Sequence, residues 1–363
     1  MKLHFLGTCS GTEPMADRRH TAFVVESGQR LYWFDAGEGC SHTAYLKGLD
    51  LHAVCRVIIS HTHMDHVGGL ANLFWNILKL THVGKKTTPY AGDIELYIPN
   101  LETWDGIWKI LANTEGGFRA PFSILPTEVR DGLLFDDGVM RVTAFHNHHL
   151  RHSEGEPWRS FTYRIECEGK VVVYSGDIKN YTDLDGAIGD GCDAAIVETG
   201  HFGIDDVHEY MSGKQVGHVF FNHNGREVLA GRRAAREKLE RCFGNAATLC
   251  EDGMTAVLSD TGVFVEGKTL QSALDRMMID LGFERVSVNA RTNYRMGDLF
   301  VMLSPGENAV PLELAHGLVD AQNNLYEDVD LYEYEFMKEK GLDIVGTIRA
   351  DVVKYVIERY GAK

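Results

Sequence analysis

Six consecutive residues, His61-Thr62-His63-Met64-Asp65-His66, set three imidazoles and a carboxylate at the end of a strand-like run. That run, Val54-Cys55-Arg56-Val57-Ile58-Ile59-Ser60, is apolar and β-branched, and Gly68-Gly69 and a helical pattern follow. Packing gives no reason to crowd such groups, because their desolvation is costly without a cation to offset it. Imidazole with carboxylate suits Zn²⁺ and related transition metals. Alternate residues of an extended loop point the same way, so His61 and His63 can share one cation, with Asp65 and His66 offset toward a second.

Further donors stand after other strand-like runs. His146-Asn147-His148-His149 follows Arg141–Phe145, Gly176-Asp177 follows Val171–Ser175, and Asn222-His223-Asn224-Gly225 follows Val216–Phe221. A carboxylate such as Asp177 can bridge two cations through its two oxygens, which an imidazole cannot. The recurrence of strand, donor and glycine-containing turn carries more weight than any one of these pieces. Of the 17 histidines only His316 lies beyond residue 223, so this chemistry belongs to the first two-thirds of the chain.

The order HxHxDH, a distant His, an Asp after a strand and a last His resembles the metallo-β-lactamase superfamily. Phe5-Leu6-Gly7-Thr8-Cys9-Ser10-Gly11 and Phe34-Asp35-Ala36-Gly37-Glu38-Gly39 resemble its ribonuclease Z-like branch. The resemblance implies an α/β fold, an αββα sandwich with metals at one edge of its two sheets. It implies that His61, His63 and His148 hold one divalent metal, that Asp65, His66 and His223 hold the other, and that Asp177 bridges. His146 and His149 compete with His148 for its place. Zn²⁺ is the expected metal, with Mn²⁺ or Fe²⁺ as alternatives. Two such ions would share a water and lower its pKa. Asp65 would both ligate and orient that nucleophile. His201, in Glu198-Thr199-Gly200-His201 after a strand, is the first candidate for general acid, ahead of His149. Asp35 is expected to hold the metal-binding loop by hydrogen bonds. A homodimer is implied as well.

These donors need elements to carry them. Lys2–Leu6, Ala22–Glu26, Leu31–Phe34, Met140–Phe145, Phe161–Glu166, Ala194–Val197 and Val216–Asn222 read as strands, and 67–80 and 226–241 as helices. That alternation belongs to the α/β class. Residues 81–135 read as a looser insertion. A catalytic domain is expected over 1–264 and a C-terminal α+β extension over 265–363, serving as lid or dimer contact. Within the extension Thr269–Leu281 reads as a helix, Arg285–Asn289 and Leu299–Leu303 as strands, and 311–324, 329–340 and 350–361 as helices.

Acidic residues outnumber basic ones 52 to 36, a net charge of −16 that repels nucleic-acid backbones and anionic membranes. A small anionic substrate is still compatible, because a metal ion dominates its own local field. Seven cysteines without CxxC spacing and a first segment broken by glycine and glutamate point to a cytoplasmic protein without a disulfide framework. The branch binds tRNA through an arm between the middle His motif and the bridging Asp, and the short stretch from His148 to Asp177 leaves no room for one. The reading is therefore a dinuclear metal-dependent hydrolase cleaving a small-molecule ester, lactone or amide. A small-molecule or nucleotide phosphodiesterase is the alternative, with tRNA 3′-processing and a diiron oxidoreductase ranked below.

Overall fold

A computed structural model describes residues 1–15, 18–83, 92–114, 116–260, 262–266, 277–278, 281–288, 291–297, 299–304, 312–319, 325–332 and 344–360. The chain divides into two compact units, Met1–Glu266 and Gly267–Lys363.

In the first unit β1 (Lys2–Gly7), β2 (Ala22–Ser27) and β3 (Arg30–Phe34) form an antiparallel meander. Helix α1 (Cys40–Leu46), β4 (Val54–Ile58), the single turn α2 (Met64–Val67), α3 (Leu70–Val83), β5 (Ile94–Ile98), α4 (Leu101–Ala112) and β6 (Ile124–Glu128) follow. Next come β7 (Gly132–Asp136), β8 (Met140–His146), β9 (Phe161–Cys167), β10 (Lys170–Tyr174), α5 (Asp185–Ile188), β11 (Cys192–Glu198) and α6 (Ile204–Met211). The unit ends with β12 (Val216–Asn222), α7 (Arg226–Ala230), α8 (Arg232–Phe243), β13 (Ala247–Leu249), β14 (Thr255–Ser259) and β15 (Gly262–Glu266).

One sheet runs β15-β14-β1-β2-β3-β4-β5-β6 and the other β13-β12-β11-β10-β9-β8-β7. Phe5, Phe23 and Phe34 of the first meet Tyr163, Tyr174 and Phe220 of the second in one buried cluster. The outer face of the first sheet is covered by Leu73, Phe74 and Ile77 of α3 and Trp104 and Leu111 of α4. Ala187, Val207, Met211 and Ala235 of α5, α6 and α8 cover the other. Each apolar face is thus buried against a second layer, which gives the expected αββα sandwich.

Strands β3 to β6 pair in parallel, as do β10 to β13. Parallel strands are buried on both faces, so their sequences are continuous apolar runs. In β12 the last five residues, His218 to Asn222, are all buried. The turns beyond the carboxyl ends of such strands are where open α/β sheets receive ligands.

Three expectations for this unit are corrected. Residues 81–135 are not a loose insertion, because β5, α4, β6 and most of β7 lie there. The run Ile94–Ile98 pairs with β4, and the Asn100 side chain caps α4 by accepting from the Glu102 amide. The helix expected over 67–80 is two helices parted at Gly68-Gly69, and that over 226–241 is two parted at Gly231. No helix among the described residues is long and apolar enough to cross a membrane.

The second unit carries a five-stranded antiparallel sheet in sequence order: β16 (Glu284–Val288), β17 (Arg291–Met296), β18 (Leu299–Ser304), β19 (Leu312–Val319) and β20 (Leu325–Tyr332). Helix α9 (Ile344–Tyr360) closes it, and Met278, Tyr294, Val301, Ile348 and Val352 share its core. Where helices are expected at 311–324 and 329–340, the described residues Leu312–Val319 and Leu325–Tyr332 form β19 and β20 instead, and the rest lies outside the described residues. Alternation in Asp328-Val329-Asp330-Leu331 is a period of two, and the pairing Asp330↔Leu314 realises it. Thr269–Leu281 falls largely outside the described residues.

Candidate metal centre

Four strand ends and one helical turn bring the donors together. The turn after β4 delivers His61 and His63, and α2 places Asp65 and His66 one turn on. The turns after β8, β10 and β12 add His149, Asp177 and His223. His61, His63, His149 and Asp177 form one group, and Asp65, His66, Asp177 and His223 a second, each with all its donor atoms within 4.8 Å of one another.

In the first group His61 Nε2 and His149 Nε2 lie 3.1 and 3.3 Å from His63 Nδ1. Asp177 Oδ2 lies 3.8 and 3.7 Å from those two Nε2 atoms. In the second group Asp177 Oδ1 is 3.3 Å from both His66 Nε2 and His223 Nε2. Asp65 Oδ2 is 3.1 Å from His223 Nε2 and 3.5 Å from His66 Nε2. Asp177 therefore turns one oxygen to each group, the bridging arrangement its two oxygens allow.

The donors fit metal ions on two counts. Four ligands around a tetrahedral Zn²⁺ at ~2.0–2.1 Å stand about 3.3 Å apart, close to the spacing seen here. Moreover, His66 Nε2 and Asp177 Oδ1 are buried with no hydrogen-bond partner among the described residues, a costly state that a cation between them removes.

The surroundings fix the donor atoms. Ser60 donates its hydroxyl to Asp35 Oδ2 (2.7 Å) and so accepts from His61 Nδ1 (3.1 Å), which leaves His61 Nε2 unprotonated toward its group. His66 Nδ1 donates to Asp35 Oδ2 at 2.7 Å, turning Nε2 toward the second group. Asp35 also accepts from the Ser60 amide and the Tyr174 hydroxyl and holds a left-handed φ of 52°. Gly200 lets the next turn pass close by, since a Cβ there would stand 2.6 Å from His223 Nδ1.

Charges differ across the centre. Burial pushes His61 well below the usual imidazole range, helped by neighbouring His66. His66 moves the other way: burial opposes its proton, but Asp177 and Asp35 outweigh burial. His223 is likewise disfavoured by burial yet raised to about 10 by Asp177, Asp65 and Glu198. Burial works against charge on Asp65, and the hydrogen bond from His223 with nearby His66 still brings it down to about 2.

One predicted ligand is displaced. His148 does not join the donors; its Nδ1 donates to Asp183 Oδ1 at 2.5 Å and its side chain is 55 % exposed. His149 takes the place because Asn147 Oδ1 accepts from the His149 amide, while Asn147 Nδ2 reaches Ser175 O. His146 is drawn off by Asp131. His201 stands at the rim, half exposed, with its ring 5.1 Å from that of His149. Its amide and Nδ1 both donate to Glu198 Oε2, at 3.0 and 2.7 Å, and that hydrogen bond raises its pKa against the pull of burial. Asn147, Asp183 and Glu198 were not assigned roles from sequence, although Glu198 sits in the turn that named His201.

Comparison with known proteins bears on the family and the fold. The family profile of the anti-Pycsar protein Apyc1 matches residues 1–208. Ribonuclease Z of Bradyrhizobium diazoefficiens is 30% identical over 143 residues, 39% of this chain and 44% of that one. Ribonuclease BN of Cronobacter sakazakii is 30% identical over 175 residues, 47% of this chain and 51% of that one. The chain thus spans about half the length of the relatives it matches. Among solved structures, the short form of human tRNase Z superposes with a TM-score of 0.55 at 20% identity, over 71% of this chain and 100% of that one. The metallo-β-lactamase fold protein YhfI from Bacillus subtilis gives 0.55 at 16% identity, over 70% and 98%.

Proposed function

We propose that this chain, which belongs to the anti-Pycsar Apyc1 family within the metallo-β-lactamase superfamily of metal-dependent hydrolases, cleaves a phosphodiester bond in a small anionic molecule. The observation that carries the reading is Asp177, whose two oxygens face two separate donor groups. In this reading His61, His63, His149 and Asp177 hold one divalent cation, and Asp65, His66, His223 and Asp177 the other, with Zn²⁺ favoured by the donor set. Bound there, two such ions supply an activated water and draw charge from the phosphoryl oxygens.

The remaining work falls to the chain itself. Asp65, ionised and held by His223, sits where it can orient the attacking water. Glu198 accepts from His201 Nδ1 and raises its pKa, so the proton this ring would give to a leaving oxygen is the one on Nε2. A phosphodiester is preferred to the carbonyl substrates first expected, because the sequence relatives are named for cleaving RNA. A small substrate is preferred to tRNA, because β9 and β10 join through the tight Glu168-Gly169 turn and the chain is strongly acidic. A homodimer, with the second unit as subunit contact, belongs to the same reading, and a monomeric mass in solution would remove it.

The deciding assay offers bis(p-nitrophenyl) phosphate and a p-nitrophenyl carboxylic ester to Zn²⁺-loaded protein and to Asp65→Ala. Phosphodiester cleavage lost in the variant is expected. Ester cleavage alone, lost in the same variant, would return the carbonyl reading to first place.

A further inference from the structure

We infer that the His148–Asp183 pair is a positioning clamp for the metal centre, tying the turn that carries His149 to the turn that carries Asp177. The inference rests on the two-metal reading above and concerns residues that touch neither metal nor substrate in it.

Asp183 is buried, yet its carboxylate is fully engaged. Oδ1 accepts from His148 Nδ1 at 2.5 Å, and Oδ2 accepts from the amides of Lys179 (3.1 Å), Asn180 (3.2 Å) and His148 (3.4 Å). Two of those donors lie just beyond Asp177 and two belong to the residue just before His149. One carboxylate thus fastens the segment after β10 to the segment after β8. Asn147 works from the other side: it accepts from the His149 amide and donates to Ser175 O, two residues before Asp177. His149 and Asp177 are therefore set between two polar braces.

The same logic accounts for the crowded sequence His146-Asn147-His148-His149. Asp131 takes the amide and Nδ1 of His146, and Asp183 takes the amide and Nδ1 of His148. Two carboxylates of the protein hold the outer histidines, and His149 alone is left with its Nε2 free to face His63 and Asp177. Partners that orient metal ligands commonly change metal affinity about 10–100-fold when removed.

The test compares wild type with His148→Ala, His148→Asn and Asp183→Asn, all as the full chain, by Zn²⁺ competition against a chromogenic chelator and by the visible spectrum after Co²⁺ substitution. His148→Ala and Asp183→Asn should weaken the first-group metal about 10–100-fold and alter the Co²⁺ bands. His148→Asn, whose amide NH₂ overlays Nδ1, should restore most of the affinity. If His148→Ala binds both metals as wild type does, the clamp is refuted. If its metal affinity is unchanged while KM rises, His148 touches substrate and the clamp is equally refuted. A wild-type chain that takes up no metal would instead bring down the two-metal reading. Should Asp183→Asn fail to fold, the exposed His148 still carries the test.

Discussion

The two donor groups share Asp177 but are built differently. The first is three imidazoles and one carboxylate oxygen, and it opens to solvent at His63. His61 and His149 both sit below the ordinary imidazole range, chiefly through burial, so they are neutral and ready to ligate at neutral pH. The second is buried and carries two carboxylates, which hold protons on His66 and His223 against burial. A cation entering the second group must displace those protons, whereas His61 and His149 of the first carry none to displace. The contrast teaches that one centre can hold a firm, charge-balanced side and an accessible side where substrate and water enter.

Breaking the shared element should have the largest effect. Asp177→Ala is expected to lose both metals and drop hydrolysis to background, read by metal analysis and turnover. Retention of one full equivalent would mean that the groups are independent. Next in size is His201→Ala, which should lower kcat roughly 10²–10³-fold. Because the hydrogen bond to Glu198 raises the pKa of His201 above the ordinary imidazole value, wild-type kcat should fall as pH rises through that raised value. Glu198→Gln should shift this alkaline limb to lower pH, and an unmoved limb would deny His201 the acid role.

A third experiment sharpens the contrast itself. Lowering pH across the window below about 10 should weaken Zn²⁺ binding at the second group steeply, since both its imidazoles are raised and reprotonate. The first group should hold its affinity to lower pH than the second, because His61 and His149 are shifted down. Parallel titration of the two sites by calorimetry would contradict the assignment. The smallest effect is expected for Tyr174→Phe, which removes one donor from buried Asp35 and should cost roughly 1–2 kcal/mol in a denaturant titration with both metals kept.

Much of the centre was legible because its donors stand at strand ends, where a period-two pattern stops and a glycine-containing turn begins. His61, His63, Asp65 and His66 are local to six residues, and Asp177 and His223 each follow a continuous apolar strand. The His148 assignment failed for a different reason. Which of three neighbouring histidines faces inward is decided by Asp131, Asp183 and Asn147, two of them remote in sequence, and spacing carries no trace of them. In the second unit, Leu312–Val319 and Leu325–Tyr332 mix spacings of two and three, and their partners in the sheet decide for strand. In the segment 81–135 the signal is Asn100, whose side chain caps the helix that follows.

The closure between Thr8 and Asn224 adds a constraint in time. Asn224 donates its amide to Thr8 O and its own carbonyl accepts from the Ser10 amide, while His223 reaches Asp65 across 158 residues. A chain leaving the ribosome can offer the first donor group once β10 has emerged, but the second waits for β12. Contacts of such span are slow to form, because loop closure precedes any gain from them. The nascent chain therefore passes through an interval in which Asp65 and His66 stand without His223, and early capture of a metal would find only half of its cage.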